Sequence, residues 1–336
     1  MKKISLYSLL ITIILVLSVC KKPDINNPTT TVKGVYVAGN ESNGTKRVAK
    51  YWKDGVGVSL TDGTNDARAY SLFILGTDVY VVGTESIGIH TVAKYWKNGT
   101  AVTLSDGTMN AYAYSIFAIG TDIYIAGGEF NGTYAVAKYW KNGAAVTLSD
   151  GILNTYATSI FVVGTDVYVA GQVSDNGLNI RRATYWKNGT AVSLTNDNYP
   201  SFANSIIFSG TDMYIAGSEQ AVAKYWKNGN PINLTASTFA SVRSIFISGT
   251  DVYAAGTESN GAKYWKNGTA VSLTSSLPVS QATSIFVSGA DVYVAGFEGS
   301  SNIMIPSVAK YWKNGIAINL TDGTQVALAF SIFVAN

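Results

Sequence analysis

Among 336 residues there is one cysteine, Cys20, and one histidine, His90. A disulfide framework is thereby excluded, and so is a metal site built from histidines. A Ser-His-Asp arrangement would depend on His90 alone. Charged residues are only 13% of the chain, with a formal net charge of +3. Two of the cations, Lys2 and Lys3, fall in what reads as a leader, which leaves 22 basic against 21 acidic groups. That balance provides no basic field, so no nucleic-acid partner is expected. Helical periodicity is missing as well. The glycines fall at turn positions at regular spacing rather than in a phosphate-cradling loop, so no cofactor and no metal are expected.

The first twenty residues, MKKISLYSLLITIILVLSVC, have a basic start, an apolar run and a terminal cysteine. This is the pattern of a secretory signal, and the run is short for a spanning helix. An uncleaved signal anchor is the alternative. Either reading exports the chain and tethers it to a membrane. Residues 21–31, KKPDINNPTTT, are polar with two prolines and read as a tether. Residues 32–336 carry everything else.

What they carry is repetition. Tyr-Trp pairs occur at Tyr51–Trp52, Tyr95–Trp96, Tyr139–Trp140, Tyr185–Trp186, Tyr225–Trp226, Tyr264–Trp265 and Tyr311–Trp312, which uses every tryptophan in the chain. Their spacings are 44, 44, 46, 40, 39 and 47 residues. Each unit has four strand-like segments, as in SIFVVG at Ser159, DVYVAG at Asp166, VAKYWKNG at Val136 and AVTL at Ala145. β-Branched and aromatic residues fill them, and Gly, Asn and Asp punctuate them. The Asn-Gly of KNG is a tight-hairpin signal. NGT triplets match a glycosylation acceptor pattern and are read as turns.

Four antiparallel strands per unit, seven times over, predict an all-β, seven-bladed β-propeller. A β-solenoid is the alternative, but its coils are shorter and lack tight hairpins. The first strand-like segment, VYVAG at Val35, matches the second strand of a unit, and the last, SIFVAN at Ser331, matches the first. The two termini are therefore expected to complete one blade together and to leave no open edge. The repeat resembles kelch and galactose-oxidase-like propellers. It is more closely similar to bacterial repeat lipoproteins of the VAKYWKNG type, over about residues 32–336. A kelch-type double glycine occurs only at Gly127–Gly128. The LSVC ending resembles a lipobox. That resemblance implies lipidation of Cys20, a bacterial cell-envelope location and a membrane anchor.

The recurrent residues read first as architecture. Blades are wedges, so bulk is needed toward the rim, and the tryptophans on the third strand would fill that gap rather than bind sugar. All six glutamates, Glu41, Glu85, Glu129, Glu219, Glu258 and Glu298, share one position. The same six units have a lysine before the aromatic pair, at Lys50, Lys94, Lys138, Lys224, Lys263 and Lys310; the fourth unit has Val173 and Thr184 instead. Joint presence and joint absence predict exposed cross-strand ion pairs. A cation-binding carboxylate ring is the alternative. Asp78 and its five equivalents are expected to cap backbone N–H groups of their own turns. Ser71 and its six equivalents are placed near the channel mouth, with hydroxyls bonded to local backbone or water.

Outside the repeat and the turns, the only carboxylates are Asp24, Asp66, Asp175 and Asp197, so a glycosidase pair would have to come from these. No enzyme is expected, although a secreted polysaccharide hydrolase or lyase remains an alternative. Recognition is expected on the face that carries the second-to-third-strand loops and the blade-to-blade crossings. Candidate ligand-binding residues there are Tyr112, Tyr156 and Phe202 on the crossings. The fourth unit's loop adds Asp175, Asn176, Asn179, Arg181 and Arg182. Aromatics with Arg and Asn suit a glycan by stacking and hydrogen bonding, though they could equally cover the blade tops. The reading is a monomeric, membrane-anchored binding module for a protein or glycan, with a structural surface protein as a further alternative.

Overall fold

Alternating apolar and polar residues, interrupted at fixed intervals by Asn-Gly and Gly-Thr-Asp, fold as short antiparallel strands. The computed structural model describes residues 33–174, 181–196, 199–236, 239–274, 280–299 and 306–336. The chain divides into two units, 1–30 and Thr31–Asn336. The leader, the tether and Cys20 lie outside the described residues, as do Asp175, Asn176 and Asn179.

Twenty-eight strands form seven four-stranded antiparallel sheets arranged as a ring of blades. In one blade the strands run Ala111–Ile119, Asp122–Phe130, Ala135–Lys141 and Ala144–Thr147, from the axis outward. The termini share a blade as expected. Ala327–Ala335 is its innermost strand, paired with Gly34–Ser42, and Arg47–Lys53 and Val56–Ser59 complete it. The hairpin between third and fourth strands is a tight turn with Asn98 at φ 51° and Gly99 at φ 82°. Both values are positive, which Asn-Gly tolerates and most residues do not.

The core is divided into seven clusters, one in each gap between blades. Each gap receives the tyrosine of one blade and the tryptophan of the next. Tyr51 and Trp96 meet in one, Tyr95 and Trp140 in the next, and Tyr311 and Trp52 in the gap that closes the ring. All seven tryptophans are at most 2% exposed. Adjacent residues on a strand point to opposite faces, so a Tyr-Trp pair serves both neighbours of its blade. The tryptophans therefore fill the wide part of each wedge, as read from the sequence.

Every innermost strand carries a β-bulge at the same place. In the blade above, Ala113 pairs with Gly127 and Ser115 with Ala126, which leaves Tyr114 as the extra residue. The other six blades skip Tyr70, Thr158, Asn204, Arg243, Thr283 and Phe330. The bulge pushes a carbonyl against the second strand, and the glycine of the recurrent "AG" makes room for it. A Cβ on Gly171 would lie 1.9 Å from the Tyr156 carbonyl oxygen and 3.0 Å from the Trp186 ring.

The serine after each bulge differs from its expected role. In six of the seven blades its hydroxyl accepts from the backbone of the next blade rather than bonding locally. Ser159 Oγ accepts from Ile206 N–H at 3.1 Å, Ser284 Oγ from Ile332 N–H at 3.2 Å, and Ser331 Oγ from Leu72 N–H at 3.3 Å across the closure. The bulge exposes an amide that the neighbouring serine satisfies, which links the inner strands around the axis.

Gly171→Ala is expected to cost about 1–3 kcal/mol by overpacking against a backbone carbonyl that cannot move alone; chemical denaturation measures it, and an unchanged midpoint would contradict the close approach. Removing residues 331–336 strips the closing blade of most of its inner strand. A lowered Tm and concentration-dependent aggregation are the expected outcome, read by thermal melting and light scattering.

Candidate functional site

Two faces of the ring differ in a way that separates architecture from recognition. On the turn face, six blades carry one network. Asp78 Oδ2 lies 2.7 Å from Lys97 Nζ, and Asp78 Oδ1 accepts from Asn98 Nδ2 at 2.8 Å. Asn98 Oδ1 in turn accepts from Val79 N–H at 2.9 Å, and the lysine lies 5.3 Å from the Tyr80 ring centroid. The aspartates thus bind across to the neighbouring hairpin, not to their own turn as expected from the sequence. The seventh blade explains its own exception. It has Gly34 where the others have Asp, and Asp54 where they have Asn, and Asp54 Oδ1 accepts from Val35 N–H at 2.9 Å. With no carboxylate opposite, the turn residue has no need of an amide donor.

These contacts shift the carboxylates. The Lys97 ammonium, and then the Asn98 amide, hold Asp78 below its ordinary value of 3.8, and the same order applies at Asp122, Asp212, Asp251 and Asp291. In Asp166 the Asn188 amide contributes first and Lys187 second. The lysines are raised in return, chiefly by the hydrogen bond to their aspartate.

The glutamate–lysine pairs form in all six expected blades. Lys50 Nζ is 2.5 Å from Glu41, Lys263 is 2.6 Å from Glu258, and Lys138 contacts Glu129. They are not exposed pairs, however. The Lys310 side chain is 7% exposed and its ammonium lies 5.9 Å from the Trp312 ring centroid. The tryptophan that fills the gap also covers the lysine stem. A carboxylate ring free to bind cations is therefore absent from these six positions, and no metal-binding cluster of His, Cys, Asp or Glu occurs among the described residues.

On the loop face the pattern reverses. Within the inner strand, the position before each bulge holds Ala69, Ala113, Ala157, Ala203, Val242, Ala282 or Ala329, all fully buried. The residue on either side of it varies from blade to blade. The bulge residues are Tyr70, Tyr114, Thr158, Asn204, Arg243, Thr283 and Phe330. Two residues earlier stand Arg68, Tyr112, Tyr156, Phe202, Ser241, Gln281 and Leu328. Bulges re-aim side chains, and here they aim them at the mouth of the central channel.

A cavity of about 650 Å³ occupies that mouth, lined by Tyr70, Tyr114, Tyr156, Thr158, Phe202, Asn204, Arg243, Thr283 and Phe330 from the inner strands, with Gln172, Arg181 and Gln281. A second, of about 450 Å³, shares Tyr70, Tyr114 and Tyr156 and includes Tyr112. A third, of about 500 Å³, shares Phe202, Asn204 and Arg243. Of the residues expected to bind ligand, Tyr156, Phe202 and Arg181 come together. The Arg181 guanidinium lies 5.5 Å from the Tyr156 ring centroid and 5.6 Å from that of Phe202. Tyr112 stacks on Tyr114, with centroids 5.8 Å apart and planes at 5°, in the adjoining cavity. Arg182 projects to the other face of its strand and lines none of the three. Sequence reasoning missed the bulge residues, Arg243 above all. Their signal was present as the one variable position wedged between a constant small residue and a constant serine.

Of the residues considered for hydrolysis, Asp66 is engaged and His90 is not. Asp66 accepts from Arg47 N–H at 3.0 Å and pairs with its guanidinium at 2.8 Å. It anchors a crossing to the preceding blade, the role that Asn110 plays with Thr91 N–H. His90 Nδ1 is buried without a hydrogen-bond partner. Asp24, Asp175 and Asp197 lie outside the described residues.

No family model matches the chain, and no curated protein matches it. Among solved structures, one from an analysis of two prolyl endopeptidases is similar over 90% of this chain and 50% of its own length, at 11% identity and a TM-score of 0.48. This chain thus spans about half the length of that structure. The propeller assignment stands on the strand order and pairing described above.

The aspartate networks set a pH dependence. A carboxylate with a lowered folded pKa contributes stability that is complete above its ordinary value of 3.8 and is lost as pH falls through the folded one. The raised lysines act with opposite sign, contributing fully below their ordinary 10.5. The melting temperature is expected to be flat from about pH 5 to 9 and to fall below about pH 4. The acid limb should be shallower in Asp78→Asn/Asp122→Asn; an identical limb would remove these groups as its cause.

Proposed function

We propose that this propeller is a binding module that recognises a protein or glycan partner on its loop face, centred on the channel mouth. The observation that carries the reading is where the seven units differ. Six blades repeat the same aspartate–lysine–asparagine network on the turn face. The wedge fillers, the "AG" glycines and the serine ring are also constant. Variation gathers in the bulge residues and their neighbours, which line three adjoining cavities. If the fold alone set these positions they would repeat, since the surroundings repeat.

Aromatic rings, two guanidinium groups and side-chain amides around a cavity of about 650 Å³ are suited to holding a ligand with flat faces and polar edges. Binding rather than turnover is supported by the engagement of Asp66 with Arg47. The leader pattern MKKISLYSLLITIILVLSVC supports export, with lipidation at Cys20 and attachment to a bacterial envelope membrane.

The test is a glycan array, with partner capture in parallel, using the full chain in detergent. Binding is expected to be lost in Tyr156→Ala/Phe202→Ala, with a Tm close to that of the parent. Undiminished binding by that variant would place recognition elsewhere and overturn the reading.

A further inference from the structure

The seven bulge residues do not make a symmetric ring. Phe330, Tyr70 and Tyr114 stand on three successive blades and form an aromatic arc, with Tyr70 5.5 Å from Phe330 and 5.3 Å from Tyr114 between centroids. Three others bond to the neighbouring blade's bulge. Thr158 Oγ1 donates to the Ala203 carbonyl at 2.7 Å, Thr283 Oγ1 to Ala329 at 2.9 Å, and Asn204 Nδ2 to Val242 at 2.6 Å. Those side chains have an architectural use.

Arg243 has none. It is the only charged member of the seven, and among the described residues it makes no hydrogen bond and no ion pair. Its side chain reaches open channel water, yet enough protein surrounds it that desolvation pulls its pKa below the ordinary arginine value. A guanidinium carries five donors, and threonine or asparagine serves the fold at equivalent positions. The same cavity receives Arg181, whose guanidinium lies near the Tyr156 and Phe202 rings. Among the described residues no carboxylate lines it, and neither does any Val, Leu or Ile; its walls are phenols, phenyls, amides and hydroxyls. Two cations with no acidic partner among the described residues, beside flat, hydroxylated walls, fit an anion attached to a polar ring, not an apolar peptide side chain.

We infer that the channel mouth binds an acidic oligosaccharide, with a sugar carboxylate between Arg243 and Arg181 and the sugar face against the Phe330–Tyr70–Tyr114 arc. The inference rests on the mouth being the recognition face. The adjoining cavities continue the groove past Tyr156 on one side and Phe202 on the other, so flanking sugars extend along the loop face. Because Arg243 is exposed to channel solvent, part of that attraction is screened as salt rises.

Calorimetry on the full chain in detergent tests this with tetramers of galacturonate, glucuronate and guluronate, each beside its neutral methyl ester. At least one acid is expected to bind ~10-fold or more tightly than its ester, as a charge-assisted hydrogen bond implies. Arg243→Gln should weaken it ~10- to 100-fold, and Arg243→Lys should fall between, because lysine keeps charge but loses the fork. Arg181→Gln provides a second variant should Arg243→Gln fail to fold, and Lys97→Gln on the turn face should bind as the parent does. Equal affinity for acid and ester, wild-type binding by Arg243→Gln or Arg181→Gln, or no binding of any acid would each overturn the inference. Binding of neutral tetramers that disappears in Tyr156→Ala/Phe202→Ala would leave the loop face as the recognition surface while removing the carboxylate from it.

Discussion

Everything in this molecule depends on one packing event repeated seven times: the indole of one blade meeting the phenol of the blade before it. Blades diverge from the axis, so the space between them widens toward the rim. Alanine and valine suit the narrow part, and only tryptophan with tyrosine fills the wide part. Because the two rings are adjacent in sequence and point to opposite faces, each blade offers one to each neighbour. The chain therefore has no self-sufficient blade. The gap between Tyr311 and Trp52 closes the circle with the same contact as the other six.

A second device rests on the first. The bulge on each inner strand needs a glycine opposite and brings the Trp ring within contact of that glycine. In return it frees one residue per blade from the ladder and turns it to the channel. Framework and display are separated within a single strand. The alanine and serine on either side of the bulge hold the ring, and the bulge residue itself is at liberty to vary. Seven rigidly held positions around one mouth, three of which (Thr158, Asn204 and Thr283) also bond to the next blade, make a recognition surface on a constant frame.

Charge is distributed with the same division. On the turn face each aspartate is consumed by a lysine and an asparagine of the same blade. The glutamates are consumed by lysines, of which Lys224 and Lys310 lie against tryptophan. The fourth blade replaces that pair jointly with Val173 and buried Thr184, and brings Arg181 to the channel mouth instead. The cations at the mouth that have no acidic partner among the described residues are thus not a general excess of positive charge. They stand out because the recurrent carboxylates, six aspartates and six glutamates, are each neutralised by a lysine of the same blade.

The seven units, their four strands and the shared terminal blade were legible because repetition, Asn-Gly turns and period-two alternation are local signals. The Glu–Lys pairing was legible from joint absence in one unit, and Tyr156, Phe202 and Arg181 from their place in the crossings and the odd loop. Three things were not. The serine hydroxyls bond across blades, the turn aspartates reach the neighbouring hairpin, and Arg243 enters the same cavity as Arg181, 62 residues away in the chain. The first and third depend on the bulge or on the contact between blades, and the second on two hairpins meeting within one blade; a bulge leaves no mark in an alternating pattern beyond one residue that refuses to repeat. By itself the sequence determined the ring, its count and its closure, since those follow from local periodicity. Only the tertiary structure decided which side chains face the axis together, because convergence on a common centre is a property of the closed circle and of no single blade.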